Sequence, residues 1–195
     1  MFAKLRIAIA VLLTAAFAPV DGARAEVTMQ APPVWKTISL GAHAGTRALF
    51  AALDAADVHI GDAAEEVLHR PAFTVSKMKI DVQLVRISIA ELGLGADGAT
   101  LPQVHDRAAR LGLEPCPPEV APILRLVYRD QPLGHSLHIA MRPIATYGGD
   151  LVNLSLFNGG AGLLLVGFDG RPDHAMPAET VFVFVRPVRV AQPTQ

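Results

Sequence analysis

Hydrophobic and polar residues alternate most clearly over residues 80–90. Ile80, Val82, Leu84, Arg86 and Ser88 fall on one face, and Asp81, Gln83, Val85, Ile87 and Ile89 on the other. That period of two predicts a strand, wetter at its charged start. Residues 35–40 alternate less cleanly and predict a second strand, and residues 73–75 a short one. Residues 151–157 and 181–185 alternate again. Residues 163–168 are almost continuously apolar, which suits a strand buried on both faces. The spacing changes to a helical one in three places. Leu49, Phe50, Leu53 and Ala56 share one face of a helix over 47–56 that Thr46 is placed to cap. Asp62 stands before Ala64, Val67 and Leu68, with Glu65 at capping-box spacing, and Pro71 stops that second helix. Thr100 begins the third, over 101–111, with Pro102 in its first turn and Gly112 as its stop.

The centre of the chain is residues 113–144. Residues 124–128 read as a strand and residues 137–141 as its return. The turn between them carries Pro132 and Gly134, so an antiparallel hairpin is predicted. Further on, strand, glycine turn and strand repeat, as at Gly148-Gly149 and Gly159-Gly160. This favours an antiparallel sheet over βαβ units. The predicted fold is one α+β domain over 35–187: a mainly antiparallel sheet with about three short helices packed to one side or end. A DNA-reading helix pair is outweighed by a helical hairpin covering the sheet.

The first 25 residues stand apart. Lys4 and Arg6 precede an apolar run, 7–17, broken only by Thr14. Pro19, Gly22 and the small-x-small triplet Ala23-Arg24-Ala25 follow. This order reads as a secretory signal cleaved after Ala25. The run is shorter than the about 20 residues of a spanning helix, and no cysteine follows it for a lipid anchor. Residues 26–34 read as a flexible lead-in and 188–195 as a tail. The product is expected in the periplasm or outside the cell, with no transmembrane segment.

Net charge is −1 overall; loss of Lys4, Arg6, Arg24 and Asp21 brings it to about −3. The remaining basic residues are scattered, so nucleic acid is not an expected partner. Another exported protein is a better match for a chain that is 51% hydrophobic and only 18% charged, because some apolar surface is left for a partner. Cys116 is the single cysteine and has no internal disulfide partner, so packing must hold the fold.

Cys116 is also the first candidate for chemistry. A nucleophilic thiol needs a base, and His105, His135 and His138 are the candidates. Pro115 and Pro117 flank it without offering a helix N-terminus, and the competing reading is a small buried hydrophobe. His135 and His138, with Asp173 and His174 from a later loop, are the candidate metal ligands. On a strand, residues three apart face opposite ways, so joint ligation needs His135 in the turn. Glu91, Glu114 and Glu119 lie near loops and raise the question of paired carboxylates. Ser136 and Ser155 lack a nucleophile elbow. The glycine-rich loop at 91–98 lacks the spacing and following Lys-Ser/Thr of a phosphate cradle. No cofactor is expected.

Several segments occur in a set order: Glu91-Leu92-Gly93, Arg107-Ala108 through Leu111-Gly112-Leu113-Glu114-Pro115-Cys116-Pro117, Leu124-Arg125-Leu126, and Asp130-Gln131-Pro132. Leu137-His138-Ile139-Ala140-Met141-Arg142-Pro143-Ile144, Gly170-Arg171-Pro172-Asp173 and Phe182-Val183-Phe184-Val185-Arg186-Pro187 complete it. The pattern, which covers most of the chain from about Trp35, resembles a group of uncharacterised bacterial proteins. The resemblance implies no activity. Members often carry tryptophan or charged residues near the last turns, where this chain has Gly160-Ala161-Gly162 and Met176. The expected function is a binding or structural module outside the cytoplasm; the alternative is a small periplasmic hydrolase using Cys116 with a histidine.

Overall fold

The computed structural model describes residues 32–95 and 97–187. The proposed signal segment, most of the lead-in and the tail lie outside the described residues. The alternating stretch becomes β3 (Ile80–Ser88), flanked by β1 (Lys36–Leu40) and β10 (Val181–Arg186), both antiparallel to it. Beyond β10 come β5 (Ser136–Ile139), β7 (Leu151–Gly159), β8 (Gly162–Asp169) and the two-residue β2 (His59–Ile60). The short β6 (Ile144–Ala145) also pairs with β7, and β4 (Ala99–Thr100) pairs with β9 (Ala175–Met176) apart from the main sheet.

The sheet is mostly antiparallel but mixed, because β10 runs parallel to β5 and β2 parallel to β8. The predicted 151–157 and 163–168 strands form a hairpin, with Gly159 opposite Gly162. The last strand does not extend that meander; it inserts between β3 and β5.

Among the described residues there are four helices: α1 (Thr46–Ala55), α2 (Asp62–His69), α3 (Leu101–Arg110) and α4 (Val120–Val127). Gly45 and Gly61, rather than Thr46 and Asp62, stand at the cap positions of α1 and α2, and neither helix has a side-chain cap bond. Asp62 and Glu65 lie inside the first turn of α2, where their charge complements the helix dipole. At α3 the Gln103 side chain accepts the Thr100 N–H at 2.8 Å, and Gly112 leaves the helix with φ of 73°. No helix among the described residues is long and apolar enough to cross a membrane.

The predicted hairpin at 124–141 does not form. Residues 124–127 lie in α4, so 137–139 pair instead with β7 and β10. The run Val-Ala-Pro-Ile-Leu-Arg-Leu-Val is apolar nearly throughout, and periodicity cannot separate a buried helix from a buried strand in so short a run. Pro122 fits the first turn, where backbone N–H groups have no intrahelical partner. Residues 73–75 form no strand either; the Ser76 N–H is taken by a side chain instead of a neighbouring strand.

Alternation along the strands divides the core. Leu84, Ile139, Leu154, Leu156 and Val183 pack with Leu49, Leu53, Val67, Leu68, Val120 and Leu124, so α1, α2 and α4 cover one face. Val85, Ile87, Phe182 and Phe184 pack with Leu101, Val104 and Ala108, so α3 covers part of the other. The helices therefore occupy both faces, not one. That second cover stops short of β8, where Leu165 is buried but Leu164, Val166 and Phe168 are only half-buried. The expected burial of this strand on both faces is not fully realised: of these three, Phe168 alone packs against the second core cluster.

Candidate ligand-binding cleft

The aliphatic face of β3 changes at Arg86 and Ser88. These two follow Leu84 on the helix-covered side, and the cover above them is the loop that leaves α4. Together with Glu91, Tyr128, Gln131, Pro132, His135, Ser136, Leu137 and Val181 they enclose a cleft of about 580 Å³. Its size suits a small ligand.

A buried polar network holds the cleft's roof. Arg125 is fully buried at the end of α4. Its guanidinium donates to the Tyr128 carbonyl and to the Gln131 side-chain oxygen. Gln131 in turn donates to the His135 carbonyl at 2.8 Å and the Leu156 carbonyl at 3.1 Å. Asn158 donates its Nδ2 to the Gln131 carbonyl at 2.6 Å, and its own carbonyl accepts the Gly134 N–H at 2.7 Å. Burial lowers the Arg125 guanidinium to about 10, with the Arg129 charge adding to the effect, so it stays protonated at neutral pH. The loop 128–135 is thus fastened to β7, and His135 is presented at the rim.

Behind two lining residues, Arg86 and Tyr128, lies an aromatic and cationic cluster. The Trp35 and Tyr128 rings meet edge to face at 5.0 Å. The Arg86 guanidinium lies 5.3 Å from the Trp35 ring centre, and Lys36 Nζ is 5.5 and 5.4 Å from the two rings. Such cation–π contacts orient a charged head without neutralising it. The opposing charge is Glu91. Its Oε2 accepts the Ser88 N–H at 2.7 Å and the Ser88 hydroxyl at 2.9 Å. These bonds, helped by the Arg86 charge, hold its carboxyl below the usual range.

The other sequence candidates lie in different settings. Cys116 contributes to the wall of a groove of about 540 Å³ with Glu114, Pro115, Pro117 and Arg142. The residue itself is 3% exposed, and its thiol donates to the Val183 carbonyl at 3.3 Å. Burial pushes that thiol well up, the opposite of an activated nucleophile. None of the three histidines has a ring contact or hydrogen bond with it among the described residues. The His105 ring meets Phe184 edge-on, and burial lowers its pKa while Asp106 and the Met141 backbone oppose the shift. His138 Nδ1 is 2.7 Å from Ser155 Oγ, and its ring packs on Phe168 and Phe182. Burial lowers it to about 4, so it is neutral at pH 7.

His174 stands 3.5 Å from an Asp169 oxygen that Arg171 also holds. His135 lies at the cleft's rim, whereas His138 is held by Ser155 and Phe168 on the other side of the sheet. Among the described residues no three His, Cys, Asp or Glu groups gather as metal ligands. The carboxylates do not pair either. Glu119 is fully buried and accepts the Gly41 and Ser76 N–H groups, each at 2.8 Å. Gly41 adjoins the Leu40–Ile80 pair at one end of β3, and Glu91 binds Ser88 at the other end. At about 3.3 Å per residue these ends are roughly 25 Å apart, far beyond the about 5–10 Å of a glycosidase pair. Glu114 is exposed where its backbone bridges to Val185.

A depression of about 620 Å³ also opens between the Gly41-to-Thr46 loop and residues 75–77. Its lining residues include no acidic side chain, whereas the cleft brings opposite charges, an aromatic ring and unspent donors together. Reading the sequence singled out Glu91 and His135 there but missed Arg86, Ser88, Tyr128 and Gln131. The available signal was the break from aliphatic to polar residues along one strand face. The chain matches no family model, no curated protein and no solved structure.

Proposed function

We propose that the protein is an exported binding module whose small-molecule ligand lodges in the cleft between the end of β3 and the 128–135 loop. The observation that carries this reading is the contrast between frame and lining. The frame residues Arg125, Gln131 and Asn158 spend their hydrogen bonds on one another and on backbone. The lining leaves Arg86 and His135 exposed. Rigid support beneath unspent polar groups is the arrangement a binding site needs. Cys116 supports the same reading, since its buried thiol serves packing.

The test is thermal unfolding against a panel of small neutral, cationic and anionic molecules. A ligand at 100 times its Kd stabilises by about 2.7 kcal/mol, a rise of roughly 5–10 °C for a domain of this size. His135→Trp, which adds bulk at the cleft's rim from an exposed position, is expected to remove the shift while leaving the unliganded melting point nearly unchanged. A panel with no active member, or a shift that survives His135→Trp, overturns the proposal.

A further inference from the structure

We infer that the ligand is a small organic acid that also carries an amino or hydroxyl group, with its carboxylate held by Arg86; this rests on the cleft being the binding site. Arg86 is exposed in the cleft, with its guanidinium against the Trp35 ring. A cation–π contact of this kind holds the guanidinium in place and leaves its N–H groups free to bind a ligand. Among the described residues no ion pair or hydrogen bond engages them. Three other arginines are spent: Arg125 on Gln131 and Tyr128, Arg129 on the Ala56 carbonyl, Arg171 on Asp169. A planar fork with free donors matches a carboxylate through two parallel hydrogen bonds.

Glu91 decides the rest of the ligand. Both of its side-chain hydrogen bonds from Ser88 fall on Oε2, which leaves Oε1 to accept from a ligand. Its negative charge, in the same cleft as Arg86, repels a dianion such as a phosphate monoester more than a monoanion. A monoanion with a hydrogen-bond donor satisfies the two walls together: carboxylate to Arg86, ammonium or hydroxyl to Glu91. The Tyr128 and Pro132 surfaces supply apolar contact for the remainder.

The experiment is calorimetric titration with the common amino acids and 2-hydroxy acids, each compared with its carboxamide. Emission of Trp35, the single tryptophan, is followed in parallel. At least one acid is expected to bind and to change Trp35 emission, and its carboxamide to bind at least about tenfold more weakly, as for loss of a charge-assisted hydrogen bond. Arg86→Gln is expected to weaken the acid by a similar factor and Arg86→Lys by less, with melting points near that of the parent. Carboxamides that bind as well as acids would overturn the carboxylate assignment while leaving the cleft as a binding site. An acid that binds Arg86→Gln undiminished would overturn the role of Arg86. Failure of every acid and carboxamide overturns the inference; a panel member that still gives a shift lost in His135→Trp would preserve the cleft reading alone.

Discussion

Arg125 shows what a buried cation demands of its surroundings. Its side chain is fully buried, and its Nη groups are satisfied by Gln131 and Tyr128 while Nε has no partner among the described residues. Removing a partner leaves a buried charge short of a hydrogen bond, so Gln131→Ala is expected to cost about 2–3 kcal/mol in urea unfolding. It should also loosen the 128–135 loop. Cys116 makes the opposite case of a quiet buried group. Its thiol is expected to resist a thiol reagent near neutral pH in the native protein and to label quickly in denaturant; fast native labelling would contradict the packing role. His138 links residue to pH. Its pKa is lowered in the fold to about 4, so as pH falls through 6.5 the unfolded chain takes up the proton first. Stability is therefore intact above about pH 6.5 and is lost progressively down to about pH 4, by up to about 3 kcal/mol from this group. Burial of His105 acts in the same direction. Melting curves from pH 7 to 4 should show the loss, and His138→Gln should flatten it.

Elements here are set by how closely they approach, as α2 and β8 show. A Cβ built at Gly167 would lie 2.6 Å from the Ala63 Cβ and 3.0 Å from a Val152 methyl. The helix thus rests directly on strand backbone, and no side chain fits between them. Gly167→Ala is expected to destabilise by about 1–3 kcal/mol through overpacking. Adding Ala63→Gly should relieve part of that loss, measured as a coupling in a double-mutant cycle. α4 is an element decided by its surroundings. Its side chains from Val120 to Arg125 are all buried, and only a helix lets that run fill the space over β1, β7 and β8 while returning its backbone hydrogen bonds internally.

On the scale of the whole molecule, Glu119 joins segments distant in sequence. From the residue before α4 its carboxylate binds the N–H groups of Gly41, after β1, and Ser76, before β3. These bonds replace the strand that residues 73–75 do not form. Glu119→Ala leaves two part-buried N–H groups without their acceptor, at a cost of about 3 kcal/mol. Hydrogen exchange should then speed up at Gly41 and Ser76 well before it does in β3. The sheet order has the same long-range character. β10, the last strand, lies between β3 and β5 and carries Phe182 and Phe184 to one face and Val183 to the other. A chain cut before residue 181 would lose the centre of its sheet.

Local periodicity alone was enough to place β3, α3 and the β7–β8 hairpin, and with them the α+β class. In each, the side chains that face the core are chosen by an alternation or a helical stripe, and α3 and the β7–β8 turn are further marked by proline or glycine. It was not enough for α4, because a short, wholly apolar run buries equally well as helix or strand until its neighbours are in place. Nor could spacing reveal that β10 runs parallel to β5, since strand pairing joins residues far apart in the chain. The cleft belongs to the same class of fact. Arg86 and Ser88 read as the polar end of a strand, and His135 as a turn residue. Only tertiary structure laid the Trp35 ring beside Arg86, set Glu91 against Ser88 and fixed the Gln131 loop above them. Free donors become a site through what packs around them, and that packing is not a local property of sequence.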